Sequence, residues 1–139
     1  MAVHWFVATT ALNRLKMGLG ALAVTPAAGT SVDGQGTAGQ LVIGSSSLTP
    51  NSSTGVLATF ALSFPSFSYS GRTATLLGTP ISVVASANGT AALAELRDHA
   101  GNTIANTMTV GTSLTDFIIA NTTISAGATL TCNSGTLAE

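Results

Sequence analysis

Residues 56–64, VLATFALSF, have an apolar side chain at every second position. Every even-numbered position in this stretch is apolar: Val56, Ala58, Phe60, Leu62 and Phe64. Because successive side chains of a β-strand point to opposite faces, a period of two places these five side chains on one face. The stretch therefore predicts a strand with one buried face and one solvent-facing side.

Further short apolar segments lie on both sides of this stretch, with turn residues between them. Asn88-Gly89 at the centre of a two-residue loop favours a type I′ hairpin across residues 87–90. Residues 98–102 and 125–128 predict a second and a third hairpin. The other candidate strands are residues 40–44, 72–77, 81–87, 90–97, 103–110, 116–120 and 129–132.

The predicted strands follow one another without an intervening helical segment. Closely spaced turns between short strands are typical of antiparallel architectures rather than of alternating strands and helices. At 139 residues, the chain has the length of one domain. We therefore predict an all-β fold, an antiparallel β-sandwich or jelly roll, over residues 40–139.

The chain changes character near residue 25. Ahead of that point, leucines recur at spacings of three and four, which suits one face of an amphipathic helix. Gly18 and Gly20 weaken this helix, because each costs up to about 1 kcal/mol relative to alanine. We expect residues 1–25 to form a short helix or an extended arm, joined to the β-domain by a Gly/Ala/Thr linker at residues 26–39.

The N-terminal segment is strongly apolar and contains the only tryptophan of the chain. A large apolar side chain contributes about 1.5–3 kcal/mol when fully buried, so such a segment is not expected to remain in water. It either folds back on its own core or anchors the chain in a partner subunit. For the second alternative, the candidate interface residues are Trp5, Phe6, Leu12, Leu15, Leu19 and Leu22.

Charged residues make up 6% of the chain, whereas an ordinary soluble domain has about 25%. The sequence contains 22 threonines and 15 serines, so hydroxyl groups provide most of its polarity. With a formal net charge of −1, copies of the chain repel one another weakly, and near-neutral surfaces promote association. This composition suits a protein that works with close neighbours.

The same composition argues against several classes of partner. Nucleic-acid binding needs clustered cations, and the four lysines and arginines of this chain form no basic patch. No apolar run approaches the roughly 20 residues of a membrane span. Cys132 is alone, which excludes an internal disulfide, and we expect it to be a buried and inert thiol.

Neither an enzyme site nor a cofactor site is predicted. His99 stands beside Asp98, but no Gly-x-Ser-x-Gly elbow presents a nucleophile, and we expect His99 to be a solvated loop residue. We expect an Asx-type turn at Asp98 and Asn102, with an isolated calcium site as the alternative. Residues 34–39 match a dinucleotide-binding pattern, but a strand-like segment follows them where a helix is needed, so we expect a glycine-rich turn.

Residues 79–139 resemble the ends of small virion proteins of tailed bacteriophages. The resemblance rests on turn-and-strand patterns at residues 81–85, 88–89, 94–102, 109–113, 116–119 and 124–130. The proteins in question are capsid decoration, or cement, proteins, which are β-sandwich or jelly-roll modules. They bind the assembled shell and clamp neighbouring coat subunits.

This resemblance implies a virion structural protein on the capsid exterior, made in the host cytoplasm. Its partners would be the major capsid protein, copies of itself in an arrangement such as a trimer, or both. Residues 17–24 have only a faint similarity to a signal-peptide core, so we expect no cleaved export signal. Cofactors, nucleic acid and membrane do not enter this interpretation.

Two alternatives remain open at this stage. The chain is a phage tail or fibre component if its loops recognise a host receptor or glycan, for which Phe64, Phe67 and Tyr69 around Pro65 are the candidate cluster. It is a pilin-like filament subunit if the N-terminal segment forms an apolar helix that carries the β-domain, although Arg14 and Lys16 inside that helix count against this alternative.

Overall fold

The computed structural model describes residues 32, 37–70 and 73–138, and over these residues the protein is all-β, as predicted. The predicted N-terminal helix or arm, its six candidate interface residues and most of the linker lie outside the described residues. The strands are β1 (Gln40–Gly44), β2 (Val56–Ala61), β3 (Phe67–Ser70), β4 (Thr73–Leu76), β5 (Ile81–Val84), β6 (Gly89–Thr90), β7 (Leu93–Arg97), β8 (Thr103–Gly111), β9 (Phe117–Ile119), β10 (Thr123–Ile124) and β11 (Thr129–Ala138).

Nine of these strands form one curled sheet with the order β2-β1-β7-β8-β9-β11-β4-β3, in which β5 also pairs with β11. The sheet is a half-barrel consistent with a β-sandwich-like fold. Its pairings are antiparallel except for β8 and β9, which run parallel. The sheet curls so that β2 approaches β5, and the backbone N–H of Ser86, just after β5, donates to the carbonyl of Leu57 in β2 at 2.8 Å.

The hydrophobic core lies inside this curl, and the alternation in residues 56–64 accounts for part of it. Ala58, Phe60 and Leu62 are buried, as the period of two predicts, and Val56 is half-buried, but Leu57 on the predicted solvent-facing side is buried too. Phe64 is 54% exposed, contrary to the prediction, because β2 ends at Ala61 and the chain leaves the sheet ahead of Pro65, which has no N–H to donate. The largest fully buried apolar side chains are Phe60, Phe67, Phe117, Leu41, Ile43, Leu96, Met108, Ile119 and Leu137.

The predicted hairpin at residues 98–102 is confirmed. It joins β7 to β8, and the backbone N–H of Asp98 donates to the carbonyl of Asn102 at 2.9 Å. Gly101 has a φ of 90°, which is a conformation that favours glycine. This turn fixes the register of two central strands of the sheet.

The predicted type I′ hairpin at Asn88-Gly89 is wrong. That turn needs positive φ at both central residues, and neither residue has it. Gly89 instead begins β6, which pairs with β10, and the side-chain oxygen of Asn88 accepts the backbone N–H of Ala126 at 2.8 Å. A Cβ atom on Gly89 would lie 2.8 Å from Cδ2 of Leu57, so glycine serves a close approach here.

The predicted turn at residues 125–128 forms, but it does not close a hairpin. The backbone N–H of Ala128 donates to the carbonyl of Ser125 at 3.0 Å, and Gly127 has a φ of 84°. The strands on either side, β10 and β11, pair with other strands of the fold. The turn therefore carries the chain from the small two-stranded sheet of β6 and β10 into the large sheet.

Candidate functional site

All four charged residues in the part of the chain that the structure describes are buried. Their exposed fractions are 1% for Glu95, 8% for Arg97, 0% for Asp98 and 3% for Asp116. The outer surface of residues 37–70 and 73–138 therefore presents hydroxyl, amide and apolar groups without a charged side chain. This surface is the feature with the clearest functional meaning, and we call it the uncharged surface.

Glu95 and Arg97 form an ion pair beneath the loop between β1 and β2. Both lie on β7, and their spacing of two residues places them on the same face of the strand. One Nη atom of Arg97 lies 3.2 Å from Oε1 of Glu95, and it also donates to the carbonyls of Thr49 and Ser52 at 3.3 and 2.7 Å. The second carboxylate oxygen of Glu95 accepts the hydroxyl of Thr103 at 3.1 Å.

A reciprocal pair of bonds ties the same loop to the start of β8. The backbone N–H of Asn51 donates to the hydroxyl oxygen of Thr103 at 2.9 Å, and the N–H of Thr103 donates to the side-chain oxygen of Asn51 at 2.8 Å. With the Arg97 contacts, these bonds fix residues 49–52 against the β7–β8 hairpin. The charges of Glu95 and Arg97 therefore hold this loop in place.

Asp98 forms the predicted Asx-type turn. Its Oδ1 accepts the backbone N–H groups of Ala100 and Asn102 at 3.0 and 2.9 Å, and its Oδ2 accepts the side-chain amide of Asn102 at 3.0 Å. His99 is partly buried rather than fully solvated, and its Nδ1 is buried without a hydrogen-bond partner. Among the described residues, no group of three or more His, Cys, Asp or Glu side chains is arranged to hold a metal ion.

Asp116 holds a tight connection between the parallel strands β8 and β9. Its Oδ2 accepts the backbone N–H of Thr109 at 2.8 Å and the hydroxyl of the same residue at 2.7 Å. Only residues 112–116 join the two strands, whereas a parallel connection ordinarily needs a dozen residues or more. The buried carboxylate thus fixes a short projecting loop.

Leu114 lies at the tip of this loop. It is 102% exposed and has a φ of 56°, a left-handed conformation that costs a residue other than glycine about 1–2 kcal/mol. An apolar side chain is thus held fully in solvent on an unfavourable backbone. Strained, exposed positions of this kind are found at sites of contact, and no sequence pattern pointed to Leu114.

An open cavity of about 190 Å³ lies next to the turn at residues 125–128. Its buried members, Ala85, Ile124 and Leu130, are apolar. Its exposed members carry amide, hydroxyl or methyl groups and comprise Asn121, Thr123, Ser125, Ala128 and Thr129. The cavity is therefore neutral throughout and suits an uncharged occupant.

The structure describes two of the three aromatic side chains predicted as a glycan-binding cluster. Phe67 is buried in the core with 1% exposure, so it cannot stack on a sugar, whereas Phe64 is 54% exposed. The structure does not describe the side chain of Tyr69. Residues 34–36 of the glycine-rich motif also lie outside the described residues.

Cys132 is buried, as the sequence predicted. It has no exposed surface, and its thiol contacts the carbonyl of Ser134 at 3.5 Å. Burial raises the pKa of the Cys132 thiol to about 11, so the group is protonated near neutral pH. In the described part of the chain, no helix is long and apolar enough to cross a bilayer.

The sequence contained a signal for one feature that its interpretation missed. Glu95 and Arg97 have opposite charges two residues apart within a predicted strand, and strand geometry places such residues on the same face. The depth at which they are buried depends on the loop that covers them, which no local pattern reveals.

Comparisons of the chain with protein-family models, curated proteins and solved structures find no match.

Proposed function

We propose that this chain is a non-catalytic structural subunit that works in contact with other polypeptides. Its most specific form is a virion decoration, or cement, protein on the capsid exterior. There it would bind the major capsid protein and copies of itself, and bridge neighbouring coat subunits. The uncharged surface carries this proposal, because every charged side chain among the described residues is buried.

Burial against a partner requires water to be removed from both surfaces. Removing water from a charged group costs far more than removing it from an apolar group, and burial of an unpaired charge costs the most. A surface without charged side chains avoids that cost over its whole area. It also lacks the repulsion that keeps ordinary soluble domains apart.

The N-terminal segment is the proposed anchor. Trp5, Phe6, Leu12, Leu15, Leu19 and Leu22 would enter a partner while the β-domain covers the joint between coat subunits. Stable interfaces bury about 1,200–2,000 Å² in total, and many identical copies multiply a modest contact energy. The resemblance of residues 79–139 to small virion proteins supports the same assignment.

Cryo-electron microscopy of the native particle tests this proposal. We expect density for the half-barrel on the outer face of the shell, in contact with more than one coat subunit. Copies on a tail axis would favour the fibre alternative, and copies along a filament would favour the pilin-like alternative. A particle preparation without the chain would contradict a role in the virion.

A binding measurement tests the anchor in the full-length chain. The variant Trp5→Ser/Phe6→Ser is expected to lose attachment to stripped shells, with an unchanged circular dichroism spectrum. Phe64→Ser is a matched control, since it removes an exposed aromatic side chain from the β-domain. Equal binding of wild type and the double variant would show that the anchor assignment is wrong.

A further inference from the structure

We propose that Leu114 of one copy inserts into the neutral cavity of a second copy. The proposal rests on the structural role given above and adds a specific contact between copies. Leu114 is the knob, and the cavity lined by Ala85, Ile124 and Leu130 beneath its hydroxyl rim is the socket. The chain itself supplies both halves, so a second copy is the occupant to which the geometry points.

The size of the socket suits the knob. A leucine side chain has four carbon atoms, and an atom the size of a water molecule needs roughly 10–15 Å³ of space open to a water-sized sphere. By the same measure the cavity offers about 190 Å³. The cavity therefore has room for the side chain, whose apolar surface would face Ala85, Ile124 and Leu130.

The chemistry of the two rims also matches. Thr112 and Ser113 flank the knob and are exposed. The rim of the socket carries Asn121, Thr123, Ser125 and Thr129, which are also exposed. Neither rim contains a charged side chain, so these hydroxyl and amide groups can hydrogen-bond to one another, directly or through water, without burial of an ion.

The knob is held ready for insertion. The carboxylate of Asp116 binds both the N–H and the hydroxyl of Thr109, and the hydroxyl of Thr115 donates to the carbonyl of Phe117 at 2.8 Å. These bonds fix both ends of the five-residue loop. A preorganised loop loses little conformational entropy on binding, which favours association.

The positions of knob and socket determine how copies would be arranged. Leu114 lies three residues before β9, and Asn121 lies two residues after it, so the two features are at opposite ends of this strand. If each interface uses one knob and one socket, the contact is heterologous and produces a closed ring or an open filament, whereas two copies that exchange knobs form an isologous dimer.

Sedimentation velocity of the full-length chain over a range of concentrations tests the contact. Leu114→Asn removes the apolar side chain, while asparagine tolerates a left-handed backbone. Burial of one leucine corresponds to about a 10- to 100-fold gain in association constant, so this variant is expected to lose that factor. Phe64→Asn is the matched control, because it removes a different exposed apolar side chain and should leave the constant unchanged.

A second variant tests the other half of the contact. Ser125→Trp fills the mouth of the cavity from an exposed position and should weaken association by a similar factor. Combined with Leu114→Asn, it should weaken association no further, because both changes remove the same contact. Near-ultraviolet circular dichroism verifies that each variant is folded.

The outcomes separate this contact from the proposed function. If Leu114→Asn or folded Ser125→Trp associates within threefold of wild type, the knob and socket do not meet. If wild type does not self-associate but still attaches to shells, the contact is wrong and the structural role stands. If wild type neither self-associates nor attaches, both proposals fail.

Discussion

Removal of Glu95 is expected to destabilise the protein more than removal of its partner Arg97. Glu95 is 1% exposed and lies 3.2 Å from the guanidinium of Arg97. Glu95→Ala leaves that guanidinium buried without its counter-ion, and an arginine cannot lose its proton to escape the cost. Breaking a buried pair in this way costs about 3–5 kcal/mol, a large share of the roughly 5–15 kcal/mol that stabilises a domain.

The reverse change has a smaller predicted effect. Arg97→Met leaves the carboxyl group of Glu95, which keeps its bond from the hydroxyl of Thr103. We expect a loss of about 1–3 kcal/mol, typical of a buried polar group that has lost one partner. Glu95→Leu/Arg97→Met removes both charges and should lie within about 1 kcal/mol of wild type, because apolar replacement of buried pairs is often neutral or stabilising.

Urea denaturation followed by far-ultraviolet circular dichroism measures the free energy of unfolding of each variant in this series. With a slope of about 1.5 kcal/mol/M, the Glu95→Ala midpoint should fall by about 2–3 M. The two single variants and the double variant form a cycle that isolates the pair. A Glu95→Ala variant that unfolds within about 1 kcal/mol of wild type would contradict the importance of the pair, as would a double variant destabilised by the sum of the single changes.

Three further changes have definite expected results. Cys132 should resist alkylation in the folded protein. The free energy of unfolding should fall as the pH rises from about 9 to 11, because the fold raises the thiol pKa and so favours the protonated form. Cys132→Ala should lose less stability over this pH range, and an unchanged loss would contradict the burial of the thiol. Gly135→Ala should cost about 1–3 kcal/mol in thermal unfolding, because its Cβ would lie 2.6 Å from the buried ring of Phe117, and full stability would contradict the packing. Asp116→Ala should cost about 1–3 kcal/mol and speed amide exchange at Thr109, whereas unchanged exchange would show that the carboxylate does not hold the loop.

The strands were predictable where apolar alternation and a turn agreed. Gln40–Gly44 is a strand with the predicted bounds, and the turn between β7 and β8 lies where Asp98 and Asn102 indicated it. Local pattern was sufficient there because the neighbouring strand in the sequence is also the neighbour in the sheet. The same reasoning failed at Asn88-Gly89, where the chain pairs with β10, a partner more than 30 residues away.

The candidate site was less predictable than the fold. The low charge of the chain is visible in its composition, but the burial of Glu95, Arg97, Asp98 and Asp116 follows from tertiary packing. Phe67 was assigned to an exposed aromatic cluster because its strand, β3, was not recognised in a run of serines. The exposed Leu114 depends on a five-residue parallel connection, which sequence periodicity does not encode.

The proposed function therefore rests on the uncharged surface more than on any single residue. Charged interfaces weaken as salt screens them, whereas an interface formed by apolar and hydroxyl groups is insensitive to moderate salt. Salt dependence consequently distinguishes the proposed contacts from ordinary electrostatic association.

The most direct measurement is gradient sedimentation of the natively produced chain at low and high salt, with mass spectrometry of each fraction. We expect the chain to travel with a multi-subunit particle at about 0.05 M and at about 0.5 M salt alike, because residues 37–70 and 73–138 expose no charged side chain for salt to screen. Recovery of the chain as a free 13.7 kDa species at both salt concentrations would contradict the claim that this surface works against other polypeptides.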